Sequence, residues 1–263
     1  MTAPDYSADY MAGVAAGSLR SAERILPIVF ELLEPRSLVD VGCGLGAWAH
    51  TAIRLGVEDV IGVDGDWVEP SMLLIPPACF ETRDVSRPLR LERTFDLAIS
   101  LEVAEHLAPE VGPAFVAELV ALAPAVLFSA AIPFQGGEGH RNERWQSYWA
   151  GLFRDAGYAP FDVVRPAMWG DDGVEPWFAQ NAILYLSRER AANVALAPTT
   201  VGPLFDLVNP RLYVAQNARP ELEHVLRALP AALARYLRPR VLGYLYRGRE
   251  RARRTARAVK GAP

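Results

Sequence analysis

The sequence predicts an α/β fold, a mostly parallel sheet with helices on both faces, and two observations carry that prediction. Short runs rich in β-branched and aromatic residues alternate with stretches of helical periodicity. Three glycines, Gly42, Gly44 and Gly46, follow the first such run directly, as a tight strand-to-helix turn requires. In a sheet of this kind ligands bind outside the carboxyl ends of the strands, so the residues just after each strand are where chemistry is expected.

Taken in order, residues 1–20 are small and polar, include Tyr6 and Tyr10, and read as a flexible arm. A helix is predicted over 21–33, where Ala22, Ile25, Leu26, Val29, Leu32 and Leu33 recur at helical spacing before Pro35. Strands are predicted at 37–41, 60–63, 95–100, 125–131, 161–164 and 182–186, with helices over 47–55, 114–122 and 143–156. The last of these has Trp145, Tyr148, Trp149, Leu152, Phe153 and Ala156 on one face and Gly157 as its stop. Trp149 and Phe153 are expected in the core, while Trp145 and Tyr148, near the helix start, suit core or pocket. A boundary is expected near 190–200, followed by a helical extension over 220–236 and an arginine-rich end.

Composition narrows the function classes. With 51% hydrophobic residues and a net charge of −4, disorder is excluded as the dominant state. Two cysteines, Cys43 and Cys79, exclude a disulfide scaffold; with Asp5 and Asp9 where a secretory leader would be apolar, they point to the cytoplasm. The uncharged run 119–137 approaches spanning length, but Pro124 divides it into a helix end and a buried strand. Residues 235–260 carry ten basic side chains and one acid, so a segment of +9 is attached to a body of −13. An acidic body argues against a nucleic-acid partner. The basic end is expected to contact an anionic surface, a membrane leaflet or a phosphate-bearing carrier; its alternative is a clamp on the acidic body or a solvated terminus.

Two ligands could use the glycine turn. Gly42-x-Gly44-x-x-Ala47 satisfies a relaxed nicotinamide fingerprint. Asp40, two residues before the first glycine, suits a cationic ligand group better than a pyrophosphate. Under either reading Asp64, closing the second strand, can accept the hydroxyls of a ribose.

Asp40-x-Gly42-x-Gly44-x-Gly46 resembles the first motif of class I S-adenosylmethionine-dependent methyltransferases. The stretch 80–85 resembles their third-strand motif, and 95–107, ending Glu105-His106-Leu107, resembles their fourth. This resemblance, over roughly 20–188, implies a Rossmann-like, doubly wound, seven-stranded sheet in a domain spanning 21–190, with 191–263 as a C-terminal helical extension. It implies S-adenosyl-L-methionine as cofactor, held by Asp40, Gly42, Cys43, Gly44, Gly46, Asp64, Gly65, Trp67, Asp84, Val85, Leu101 and Glu102. Simpler roles stand beside these: Asp40 as a cap on local amides, Asp84 as a loop acid, Trp67 as packing, and Asp96 as a structural acid.

The loop 133–145 resembles a box, Gly-His-x-Asn-Glu-x-Trp-x-Ser-Tyr-Trp, of bacterial methyltransferases that accompany polysaccharide or antibiotic biosynthesis, which implies a small-molecule or glycan acceptor. His140 is the candidate base for methylation at oxygen, because neutral imidazole suits removal of a hydroxyl proton. His106 and Glu105 are the alternatives; Tyr10, Phe134, Asn142, Trp145, Tyr148 and Trp169 are the candidate acceptor contacts. No metal is expected, since neither Glu138 nor Asp171 makes a convincingly spaced ligand pair with His140. The competing readings are a nicotinamide-dependent oxidoreductase and a non-catalytic scaffold of a biosynthetic assembly.

Overall fold

The computed structural model describes residues 8–218. The expected extension over 220–236 and the basic segment 235–260 therefore lie outside the described residues. The chain divides into two units, Met1–Tyr213 and Val214–Pro263, and the second is described only over 214–218, the end of a helix.

Seven strands form one sheet: β1 (Ser37–Val41), β2 (Asp59–Asp64), β3 (Phe80–Thr82), β4 (Leu97–Leu101), β5 (Ala125–Ser129), β6 (Tyr158–Phe161) and β7 (Ile183–Ser187). Their order is β3-β2-β1-β4-β5-β7-β6, parallel from β3 to β5, with β7 antiparallel to both neighbours. The winding reverses between β1 and β4, which opens a crevice at their carboxyl ends.

Period-two alternation fills a core on each face. Leu38, Leu97, Ile99, Leu127 and Leu184 point to a layer shared with Ile25 and Leu26 of α1 (Ala8–Leu33) and Trp48 of α2 (Ala47–Arg54). Val39, Ala98, Val126, Phe128 and Tyr185 point to the other, with Phe115 and Leu119 of α3 (Gly112–Leu122) and Trp149 and Phe153 of α4 (Gln146–Asp155). Phe153 stacks on Tyr185 at 3.9 Å between centroids, so the two aromatics expected in the core are there. Gly157, at φ 86°, stops α4 as expected.

Four expectations are corrected. The arm is helical from Ala8, and its later part is tied down by Arg20 to Glu175 and Ser21 to the Glu175 amide. The sixth strand is Tyr158–Phe161, an edge strand that tolerates Pro160, whereas Val164 begins a short helix, α5 (Val164–Met168). Helix α4 starts at Gln146 rather than 143, because residues 140–145 are engaged as a loop. The boundary near 190–200 is not one: after α6 (Pro176–Asn181), β7 and α7 (Arg188–Ala191), the chain returns to the same unit. There Phe205 is buried, Asp206 binds Ser147, and Asn209 binds the Gln180 side chain before α8 (Pro210–Ala218). Within 119–137 the chain forms the end of α3 and then β5, and no helix among the described residues is long and apolar enough to cross a membrane.

Candidate active site

At the end of β1, alternation turns Asp40 toward the layer under α2, where an apolar residue would ordinarily sit. Its carboxylate is 2% exposed and accepts the Ala49 amide at 3.3 Å. Burial pushes its pKa up to about 7, against the Ala49 hydrogen bond and helped by the nearby charge of Asp64. The turn that follows hangs on β2 through the Gly42 and Cys43 amides, both donating to the Val63 carbonyl. Gly42 lies at φ 79°, and a Cβ there would meet Val103 Cγ2 at 2.4 Å, so neither the conformation nor the space admits a side chain. At Gly44, φ 55°, a Cβ would meet nothing within 4 Å: the turn opens onto free space.

Asp64, also buried, accepts the Gly44 and Gly65 amides at 2.7 Å each. Burial raises its pKa to about 6, opposed by those two bonds and by one from the Trp67 side chain. Trp67 folds over Gly65, where a Cβ would lie 2.5 Å from the indole. Cys43 is a buried thiol, its pKa held well above the usual value by burial and by Asp40 and Asp64. Asp84, exposed at the end of β3, accepts the Ser86 hydroxyl at 2.5 Å and pairs with Arg87; the Ser86 bond above all holds its pKa below normal. Val85 packs against the core, and Asp96 accepts the Arg36 and Ser37 amides as a structural acid.

Beyond the crevice, the end of β4 brings the other group together. Leu101 is buried, and Glu102 turns the chain at φ 55°. The Glu102 carboxylate, expected at the cofactor, is taken by two amides, Gln135 Nε2 at 2.8 Å and Asn181 Nδ2 at 3.1 Å. Glu105 is fully buried, and neither of its oxygens has a hydrogen-bond partner of ordinary geometry. Burial and the Glu102 charge hold its pKa well above the usual range. His106 and His140 meet edge to face, centroids 4.9 Å apart. Burial and the neighbouring His140 lower the His106 pKa to about 4, so this ring is neutral near pH 7.

His140 Nδ1 is 3.0 Å from Glu143 Oε1. Glu143 also accepts the Phe134 and Gly136 amides, each at 2.8 Å. Burial opposes its charge, yet the bonds from His140 and the two amides prevail and its pKa lies below normal. A carboxylate at that oxygen makes Nδ1 the protonated nitrogen and leaves Nε2 as the basic one. A Cβ on Gly137 would lie 2.2 Å from Nε2, so the glycine keeps that nitrogen uncovered.

The remaining candidates separate. Phe134 is 93% exposed at φ 68°, an aromatic held out at the ligand edge; Trp145 is partly exposed at the start of α4. Tyr148 is half-buried beneath the Arg144 guanidinium, and Trp169 gives its carbonyl to Asn209. Asn142, expected at the acceptor, is instead buried, holding the Ala104 carbonyl and Arg144. Tyr10 lies in α1, its side chain outside the described residues. Asp171 is paired with Arg24, which removes it as a partner for His140. A set that the expectation of no metal did not weigh is brought together by the fold: Glu105, His106 and His140 place their ligand atoms within 4.8 Å of one another.

Glu143, Gln135 and Asn181 were not anticipated. Glu143 carried a signal, its place three residues after His140 within the same box; nothing in the sequence marks the two amides.

No family model and no curated protein matches the chain. Among solved structures, a sugar N-methyltransferase from Streptoalloteichus matches with a TM-score of 0.56 at 15% identity, over 72% of this chain and 95% of that one. An O-methyltransferase family protein from Burkholderia thailandensis matches with a TM-score of 0.50 at 12% identity, over 68% of this chain but only 57% of its own. The chain has the Rossmann-like fold of these methyltransferases.

Proposed function

We propose that this chain is an S-adenosylmethionine-dependent methyltransferase that acts in biosynthesis on a hydroxyl of a small-molecule or glycan acceptor. One observation carries the reading: a buried carboxylate, Asp40, lies directly under the glycine turn with a single amide partner. A pyrophosphate at that turn would be repelled by it, whereas an amino group would be drawn to it. The residues present fit this cofactor. Gly44 leaves the turn open, Asp40 meets a cationic end, and Asp64 stands at the β2 end where ribose hydroxyls are accepted. The sheet also departs from the 3-2-1-4-5-6 order of dinucleotide folds by placing antiparallel β7 between β5 and β6.

When bound, the cofactor supplies an electrophilic sulfonium methyl. On the acceptor side, Glu143 holds His140 with Nε2 free to take the hydroxyl proton, and Phe134 and Trp145 offer aromatic surface to the acceptor. Positioning supplies about 7–11 kcal/mol of such a barrier and a general base about 10²–10⁴-fold, so in-line placement dominates. The proposal includes a cytoplasmic location, with the basic segment 235–260 as a contact for an anionic membrane surface.

Calorimetry with S-adenosylmethionine, S-adenosylhomocysteine and NAD decides the reading. Binding of the first two and no comparable binding of NAD is expected; equal or tighter NAD binding would sink it.

A further inference from the structure

We propose that Glu105, His106 and His140 form a binding site for one divalent transition-metal ion at the acceptor side of the crevice. This rests on the methyltransferase reading for what the ion does, but not for the site itself.

Three observations carry it. First, the three side chains offer two imidazole nitrogens and a carboxylate oxygen within 4.8 Å, although they come from two different loops. Those loops are locked together, since the Arg141 and Asn142 amides both donate to the Glu105 carbonyl. Second, Glu105 is fully buried beside a second carboxyl, Glu102, and neither of its oxygens makes a hydrogen bond of ordinary geometry. Leaving a buried carboxyl without partners is costly, and no Arg or Lys ion pair among the described residues reaches either acid. A bound cation would supply the counter-charge that lets this carboxyl ionise. Third, His140 is arranged as metal-bound histidines are, with its far nitrogen on a carboxylate, here Glu143 Oε1 at 3.0 Å, and the other turned away from it. Gly137 leaves that second nitrogen uncovered.

The donor set selects the ion. Two imidazoles and one carboxylate suit zinc, manganese, iron or cobalt in the divalent state better than magnesium or calcium, which favour oxygen alone. Three protein ligands leave coordination positions open, as catalytic rather than structural sites do. The acceptor hydroxyl would take one of them. Its oxygen, made more acidic by the cation, releases its proton to water. The oxygen's electron pair then forms the bond to methyl, and the S–CH₃ bond breaks with its pair returning to sulfur. In this arrangement His140 holds the ion, and the ion takes over the base's task.

The test uses the untagged full chain, stripped with chelator and titrated with Co²⁺, followed by its visible d–d absorption, and with Zn²⁺ and Mn²⁺ by calorimetry. Saturable binding of about one ion per chain is expected, lost in His106→Ala and in His140→Ala and weakened about 10–100-fold in Glu143→Gln. Because His140 and Glu143 lie in a loop, these two variants keep the test independent of any refolding at Glu105; circular dichroism checks each. No saturable binding of any of the three ions, or binding unchanged in both histidine variants, overturns the site. S-adenosylhomocysteine is titrated into the same samples. Its binding in samples that take up none of the three ions overturns the metal site alone, whereas ion binding without it overturns the methyltransferase reading and leaves the metal site standing.

Discussion

The two sides of the crevice treat their acids differently. Asp64, on the β2 side, meets two backbone amides and an indole, and Asp40 meets one amide. On the β4 side Glu102 is met by side-chain amides, and Glu105 makes no hydrogen bond of ordinary geometry. The first side comes from one continuous stretch, 40–67, so backbone geometry alone can supply the donors. The second is assembled from three segments distant in sequence, around 102–106, 134–143 and 180–181, so its charges are balanced only by partners that the fold brings in. A ligand group with a fixed shape can be met by the first kind of site. The second kind leaves a buried carboxyl, Glu105, without a well-made hydrogen bond where an acceptor or an ion enters.

The sharpest way to break this comparison is His140→Ala. Turnover should fall by about 10²–10⁴ while S-adenosylhomocysteine affinity stays at the parental value, because the two sides bind separately. Steady-state kinetics with an identified acceptor, together with calorimetry, give both quantities. Parental turnover across the pH range would remove His140 from the chemistry, both as base and as ligand.

What could be read beforehand follows the same division. The glycine turn, Asp40 and Asp64 were legible because positive-φ glycines and an acid at a strand end are local signals. So were most strands, since two-faced burial makes them apolar runs. The sixth strand was misplaced because Val163 and Val164 look more strand-like than Tyr158-Ala159-Pro160, yet an edge strand has no inner ladder for Pro160 to break. Nothing local marked 199–209 as part of the domain. Its anchors, Phe205 against Arg165 and Asn209 against Gln180, are contacts with residues about 30–40 positions away, which only tertiary packing makes. The grouping of Glu105, His106 and His140 is illegible in the sequence for the same reason: His106 and His140 are 34 residues apart in sequence and edge to face in space.

A smaller effect sharpens the first side. Asp64→Ala should weaken S-adenosylhomocysteine binding by more than about tenfold, since hydrogen bonds to a charged group are worth about 1.5–3 kcal/mol and a ribose offers two hydroxyls. The same change frees the Gly44 amide, so part of the loss reflects a looser turn. Asp64→Asn, which keeps an acceptor oxygen, should recover part of the affinity. Calorimetry showing parental affinity in Asp64→Ala would mean that this acid serves the turn and not the ligand.

The last prediction concerns stability and isolates what Asp40 gives up to be where it is. Its folded pKa is about 7 against an ordinary 3.8, so the unfolded chain releases this proton first. The contribution of Asp40 to stability is therefore greatest below about pH 4 and is lost as the pH rises to about 7, remaining low above it. Asp40→Asn removes the charge and keeps an oxygen for the Ala49 amide. The variant should be more stable than the parent at pH 8 by about 4 kcal/mol, and the difference should shrink toward zero near pH 4. Asp64, titrating near 6, leaves some pH dependence in both proteins. Urea denaturation of the ligand-free chain at the two pH values measures it. If the variant gains stability while losing affinity for S-adenosylmethionine, the buried charge is kept for the ligand's amino group and not for the fold. An equal parent–variant difference at both pH values would instead mean that Asp40 does not titrate in this window, and its burial would need another explanation.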